Sequence, residues 1–206
     1  MFATGDYERF YCDVLKRYDD IDISITFGVL IADYDQRLAR DYIINYLDIF
    51  NKNSGEYIDF FIPGYIPYNN GDSKQIALKN KMGENYFFSR DVFHKFIEEF
   101  KTKFRVDYPY NPILVLVELS KDDFSNARKI IIELDIENRN IKKTGVLFDR
   151  IFEIAKKHTE IDKFESGLVR TYIKGECLDS FLRVLDSNIV TEVVNNQKNI
   201  RLFKIK

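Results

Sequence analysis

The stretch 21–50 constrains the fold most: an apolar run, Ile23 to Ala32, stops at Asp33-Tyr34-Asp35-Gln36-Arg37, and a helical pattern starts at Leu38. A run with polar residues only at its beginning suits a central strand covered on both faces. Leu38, Tyr42, Ile43, Tyr46, Leu47 and Phe50 then recur at helical spacing, which predicts a helix over about 36–51 ending near Asn53-Ser54-Gly55. A second apolar run, Tyr57 to Ile62, is stopped by Pro63-Gly64. Strand, helix and strand within about 40 residues predict a right-handed βαβ unit with parallel strands.

Upstream, Tyr7, Phe10, Tyr11, Val14, Leu15 and Tyr18 form one face of a helix over 5–19. Downstream, 63–85 reads as a long irregular loop, the kind that carries function more often than accident explains. Tyr86-Phe87-Phe88 is a short edge strand in this reading, and Ser89 the N-cap of a helix reaching Lys103. Ile113–Leu119 and Arg128–Leu134 are strongly apolar, and the short link Lys121–Asn126 predicts an antiparallel hairpin. A helix over 144–158 follows. Two further helices, near 161–173 and 176–186, precede a terminal hairpin of Ile189–Val194 and Ile200–Ile205, with 188–194 open between strand and helix. The expected organisation is an α/β core domain over 1–160 and a helix-helix-hairpin appendage over 161–206 packed on it.

The chain has 206 residues, 45% hydrophobic and 31% charged, enough to bury a core in one large domain. Its net charge of −2 supplies no global attraction to nucleic acid or to an anionic membrane. The longest apolar run falls well short of the roughly 20 residues that span a bilayer. The start, MFATGDYERF, has neither the basic nor the apolar segment of a signal peptide, so a cytoplasmic protein without membrane contact is expected. Cys12 and Cys177 lie far apart on predicted helices and read as buried free thiols. His94 and His158, the only histidines, sit on separate helices without clustered ligands, so no metal is expected; His158 reads as a charge at a helix C-terminus. The chain contains no G-x-G-x-x-G, P-loop or G-x-S-x-G pattern, and no cofactor is expected.

Strand, helix, strand, helix, strand, strand, helix over about 23–158, with Asn111-Pro112-Ile113 just before the third strand, resembles the thioredoxin-like fold. That fold places a cis-proline there, although the isomer is not legible in a sequence. The resemblance implies a mixed-sheet core (βαβ, helix, β-hairpin, helix), to which this chain adds an N-terminal helix and the C-terminal appendage. It carries no redox activity over. Redox members hold C-x-x-C at the first strand-to-helix turn, where this chain has Asp33 to Arg37 and no thiolate nucleophile or resolving thiol. A Rossmann-like three-layer sheet is the alternative fold. More loosely, the YIDFFIPGY-like second strand resembles uncharacterised bacterial proteins, which implies no activity.

Candidate chemistry gathers at strand ends. Asp33, Tyr34, Asp35 and Arg37 place two carboxylates and a guanidinium beside a helix N-terminus; the plainer expectation is Asp35 as N-cap with Asp33 solvated. Tyr65, Tyr68 and Tyr110 flank the same strand ends or the proline turn, where with Tyr34 they would line a groove for a ligand. Glu118, Glu133 and Asp135 offer carboxylates on the hairpin strands, with edge exposure as the simpler account. The tail resembles a winged helix in order, but Glu176, Asp179 and Asp186 on its second helix oppose a phosphate backbone. The leading expectation is a non-redox binding, adaptor or sensor module for a protein or small-molecule ligand, with self-association left open. The alternative is a carboxylate-dependent hydrolase or nucleotide-processing effector of a bacterial defence or toxin system.

Overall fold

The structure is a computed structural model describing residues 2–18, 23–37, 39–40, 54–67, 78–79, 84–108, 111–119, 127–134, 141–173 and 200–204. Its elements run β1 (Phe2–Thr4), α1 (Tyr7–Tyr18), β2 (Ile25–Ile31), β3 (Phe60–Pro63), β4 (Tyr65–Ile66), β5 (Leu78–Lys79), β6 (Asn85–Phe88) and α2 (Arg90–Phe104). Then come β7 (Ile113–Leu119), β8 (Lys129–Glu133), α3 (Ile141–Ala155), α4 (Ile161–Ile173) and β9 (Ile200–Lys204). Among the described residues the main sheet has six strands in the order β1-β3-β2-β7-β8-β9.

β2 and β3 are parallel, with Gly28 opposite Phe60, as the βαβ pattern predicts. β7 lies antiparallel to β2 over its whole length, from Ile31↔Ile113 to Ile25↔Leu119, and β7 and β8 form the expected antiparallel pair. Of the intervening helix only the first turn is described, marked by Arg40 N–H donating to the Gln36 carbonyl at 2.9 Å. The rest of the 36–51 helix lies outside the described residues.

Alternation sorts the core into two layers. On one face Phe27 and Phe61 meet Phe10 of α1, which also touches Phe96 and Phe100 of α2. On the other face Phe60 meets Phe152 of α3 across Gly28. A Cβ on Gly28 would come within 2.4 Å of the Phe60 ring, so the glycine is what lets that ring cross β2.

Several expectations are corrected. The loop expected over 63–85 supplies strands to a small sheet of order β4-β6-β5, and β6 is its middle strand, not an edge. Ser89 does precede α2, yet its side chain makes no capping hydrogen bond. β1, which no periodicity announced, pairs parallel with β3. β9 runs parallel beside β8 in the main sheet, while 188–194, its expected hairpin partner, and the 176–186 helix lie outside the described residues. No described peptide bond is cis, so Asn111–Pro112 is trans. Cys12 is exposed on α1 rather than buried, and Cys177 lies outside the described residues. Among the described residues no helix is long and apolar enough to cross a membrane.

Candidate functional site

Strand direction brings the expected site together. The carboxyl ends of β1, β2 and β3 lie at the same edge of the sheet as the start of β7, because Thr4 pairs with Pro63 and Ile31 with Ile113. The Asp33 turn, the Gly64-Tyr65 junction and Asn111-Pro112 therefore share one end, the location where open α/β sheets bind ligands. Tyr68 and Tyr110 lie outside the described residues.

Asp33, not Asp35, organises the turn. It is only 3% exposed, and its Oδ1 accepts the Asp35 backbone N–H at 3.0 Å while the Gln36 side-chain amide donates to Oδ2 at 3.5 Å. Its carbonyl accepts the Gln36 N–H at 3.1 Å, and its own N–H donates to the Tyr108 hydroxyl at 3.4 Å. A short acidic side chain folded onto its own backbone in this way is an Asx turn. Asp35 and Arg37 are left facing solvent.

Beneath the turn is an aromatic stack. The half-buried Tyr34 ring packs edge-on against Tyr65 at 6.2 Å between centroids and lies 5.9 Å from Phe88; the Arg40 guanidinium sits over the Tyr34 ring, 5.9 Å from its centroid. Burial raises the Tyr34 phenol above its ordinary pKa, with Arg40 opposing. Tyr65 is 1% exposed, and burial, then the neighbouring Tyr34, Asp33 and Asp35, push its phenol well above the usual range. Its hydroxyl is thus a neutral donor across the physiological range. Among the described residues two buried side-chain hydroxyls have no partner, those of Tyr65 and Thr4, and both sit at this end of the sheet. Thr4, Arg40 and Tyr108 went unnoticed as site residues in the sequence. Tyr108 alone left a signal there, two positions before Tyr110.

The other candidates are elsewhere. Glu118 is 8% exposed on central β7, so edge exposure does not describe it. Its Oε1 accepts the first N–H of α4, from Ile161, at 3.1 Å, and Arg128 approaches Oε2 at 3.7 Å. A carboxylate at a helix N-terminus is stabilised by the orphan N–H groups and the macrodipole. Arg128 also pairs with Asp162, which holds the Asp162 carboxyl below its ordinary pKa. The Glu133 side chain and Asp135 lie outside the described residues. His94 is exposed and accepts from Arg90 Nε at 3.3 Å. Among the described residues no three His, Cys, Asp or Glu side chains come together as a metal site would need.

At the opposite sheet end, buried Asp59 accepts Arg17 Nε at 2.7 Å and the Tyr18 hydroxyl at 2.7 Å, tying α1 to the start of β3. An open cleft of about 420 Å³ lies beside this network, walled by Arg17, Tyr18, Tyr57 and Thr159. Burial and then the Asp59 charge push the Tyr18 phenol far up, and burial lifts Tyr7 to about 12. Folding therefore holds protons on Tyr7, Tyr18 and Tyr65 that the unfolded chain releases near pH 10. The stabilisation is complete below that pH and is lost as pH rises through the folded pKa values. Each fully buried phenol steepens the loss by about 1.4 kcal/mol per pH unit above 10. Urea midpoints should fall steeply above pH 10, and absorbance at 295 nm should show a subset of tyrosines ionising only with unfolding. Titration of all thirteen near pH 10 without loss of structure would contradict this burial.

Compared with protein-family models, curated proteins and solved structures, the chain matches none.

Proposed function

We propose that the chain is a non-redox binding module on a thioredoxin-like core, holding a protein segment or small ligand at the carboxyl ends of β1, β2 and β3. The core is supported by the expected element order within one sheet, the first two core strands parallel and the last two antiparallel. The trans bond before Pro112 and the absence of cysteine from the first turn set it apart from redox members.

One observation carries the binding role: the two partnerless buried hydroxyls, Thr4 and Tyr65, share the strand end that also presents Tyr34, Asp35 and Arg37. A buried donor without an acceptor costs about 1–3 kcal/mol, and such exceptions call for a cause. A ligand that displaces the Tyr34 ring gives the Tyr65 hydroxyl its acceptor. Asp33 and Asp35 nearby disfavour an anion, so the group received is a neutral acceptor such as an amide carbonyl. Among the described residues nothing at this end favours the hydrolase alternative. Asp33 is turned onto its own backbone, and Glu118 caps α4 about 20 Å away along the strands.

The test is a thermal-shift screen of amide-rich fragments and peptides, alongside metals, nucleotides and dinucleotides. A hit at 100 times its Kd adds about 2.7 kcal/mol, a rise of several degrees for a chain of this size. Tyr65→Phe should leave the unliganded protein as stable as before or more so, since it removes an unpaired hydroxyl, yet weaken the hit about tenfold. Arg37→Ala should weaken it as well. Stabilisation by nucleotide or metal alone, or hits indifferent to both substitutions, would overturn the proposal.

A further inference from the structure

A second cleft, about 300 Å³, opens between α3 and α4 on the face of the sheet that holds Phe152. Its walls follow helical spacing. Arg150, Glu153 and Ile154 stand at i, i+3 and i+4 on α3, and Lys157 and His158 follow in the turn just after its end at Ala155. Lys163, Ser166 and Gly167 recur at i, i+3 and i+4 on α4. The helices touch where Ile154 meets Gly167: a Cβ on Gly167 would stand 2.6 Å from Ile154 Cδ1. Apart from Ile154 and Gly167, every wall residue of the cleft is polar.

Charge is sorted around it. The walls carry Arg150, Lys157 and Lys163 with one carboxylate, Glu153, which Arg150 already holds at 2.7 Å. Asp162 of α4 is directed away, to Arg128. Neither Lys157 nor Lys163 forms a salt bridge among the described residues. Two ammonium groups without a salt bridge among the described residues thus line a concavity on a chain whose net charge is −2. The C-terminal carbonyls of α3 account for cations at Lys157 and His158. They do not account for Lys163, which comes from the first turns of a different helix.

We infer that the α3–α4 cleft is a binding site for a phosphate group, with Lys157 and Lys163 as its charged donors; the Ser166 hydroxyl, which donates to the Lys163 carbonyl at 3.4 Å, only lines the wall. Lysine is a point-charge phosphate binder without the geometric demand of arginine. The volume exceeds that of a bare phosphate and sits at the lower edge of small-ligand pockets, which leaves room for a short esterified group. This site is separate from the strand-end site, and neither depends on the other.

The experiment is titration of the full chain with inorganic phosphate and, separately, glycerol phosphate, read by backbone amide NMR shifts. Concentrations run to about 10 mM, where a millimolar site is nine-tenths full. The expected result is saturable shifts at Lys157, His158, Lys163, Ser166 and Gly167, weakened about tenfold or more by Lys157→Gln with Lys163→Gln. Lys95→Gln with Lys103→Gln on exposed positions of α2 makes the same change in net charge and should leave the affinity unaltered. Tighter binding of the ester identifies a phosphorylated small molecule as the source; tighter binding of the free ion identifies inorganic phosphate. Absence of saturable shifts with both probes, or equal weakening by the α2 pair, would overturn the site.

Discussion

Phe10→Ala is expected to remove about 3–5 kcal/mol of stability, a large part of what a domain of this kind has. Phe10 is fully buried, and its ring stands 5.3 Å from Phe61, 5.5 Å from Phe96 and 6.1 Å from Phe27. Those three belong to β3, α2 and β2, so one side chain joins α1 to the sheet and to its neighbouring helix. The contacts to Phe61 and Phe96 are edge-to-face, which adds to the area buried. Truncation leaves a hole whose walls are other aromatic rings, rigid groups that close it poorly. Urea unfolding monitored by circular dichroism measures the loss. If the alanine variant cannot be purified folded, Phe10→Leu retains most of the volume and should cost about 1–2 kcal/mol. A loss under about 1 kcal/mol for Phe10→Ala would mean that α1 is not docked as described.

The local parts of this architecture were legible in the sequence because they rest on local signals. The apolar run ending at Ala32 does become β2, although the strand starts only at Ile25, since Ile23 is 62% exposed. The short link before Arg128 does give an antiparallel pair. Cys12 is exposed because the stripe Tyr7, Phe10, Tyr11, Val14 turns its position outward, a periodicity that the apolar character of its neighbours masks. Glu118 departs from expectation for a different reason. Its strand neighbours and its hydrogen-bond partner, 43 residues downstream, are non-local, so nothing near it in sequence distinguishes an edge from a centre. At the strand end, two aspartates two residues apart both fit a helix cap. Only the fold shows that Asp33 instead closes an Asx turn ahead of the helix, whose first intrahelical bond is accepted by the Gln36 carbonyl, because its burial beside Tyr108 leaves its own turn as the nearest donors. Tyr65 was legible as a tyrosine at a strand end, but its want of a partner is a property of three-dimensional packing.

Gly64→Ala should be the most damaging single-methyl change at the site, costing about 2–4 kcal/mol. Gly64 has φ +85, in the left-handed region, and a Cβ there would stand 2.8 Å from Phe93 Cβ and 2.9 Å from Phe88 Cε2. The Phe93 Cβ is fixed to the α2 backbone and cannot move aside as a side-chain tip would. The residue is also held from both sides, its N–H donating to the Gly5 carbonyl at 3.3 Å and its carbonyl accepting from Ser89 at 2.8 Å. That glycine therefore links the end of β1, the turn into β4 and the start of α2, and it sets where Tyr65 lies under Tyr34. Two causes, backbone strain and overlap, can be separated by Gly64→Asn. Asparagine tolerates the left-handed region better than alanine, so strain alone would make it the milder change. Overlap at Cβ makes it no milder, and that is the expected outcome in urea unfolding. Because the displaced atoms belong to Phe88 and Phe93, amide shifts in both variants should spread through β6 and the first turn of α2. They should also reach Tyr34, so a change one residue from the proposed ligand contact would disturb the site through packing rather than through any group that touches the ligand.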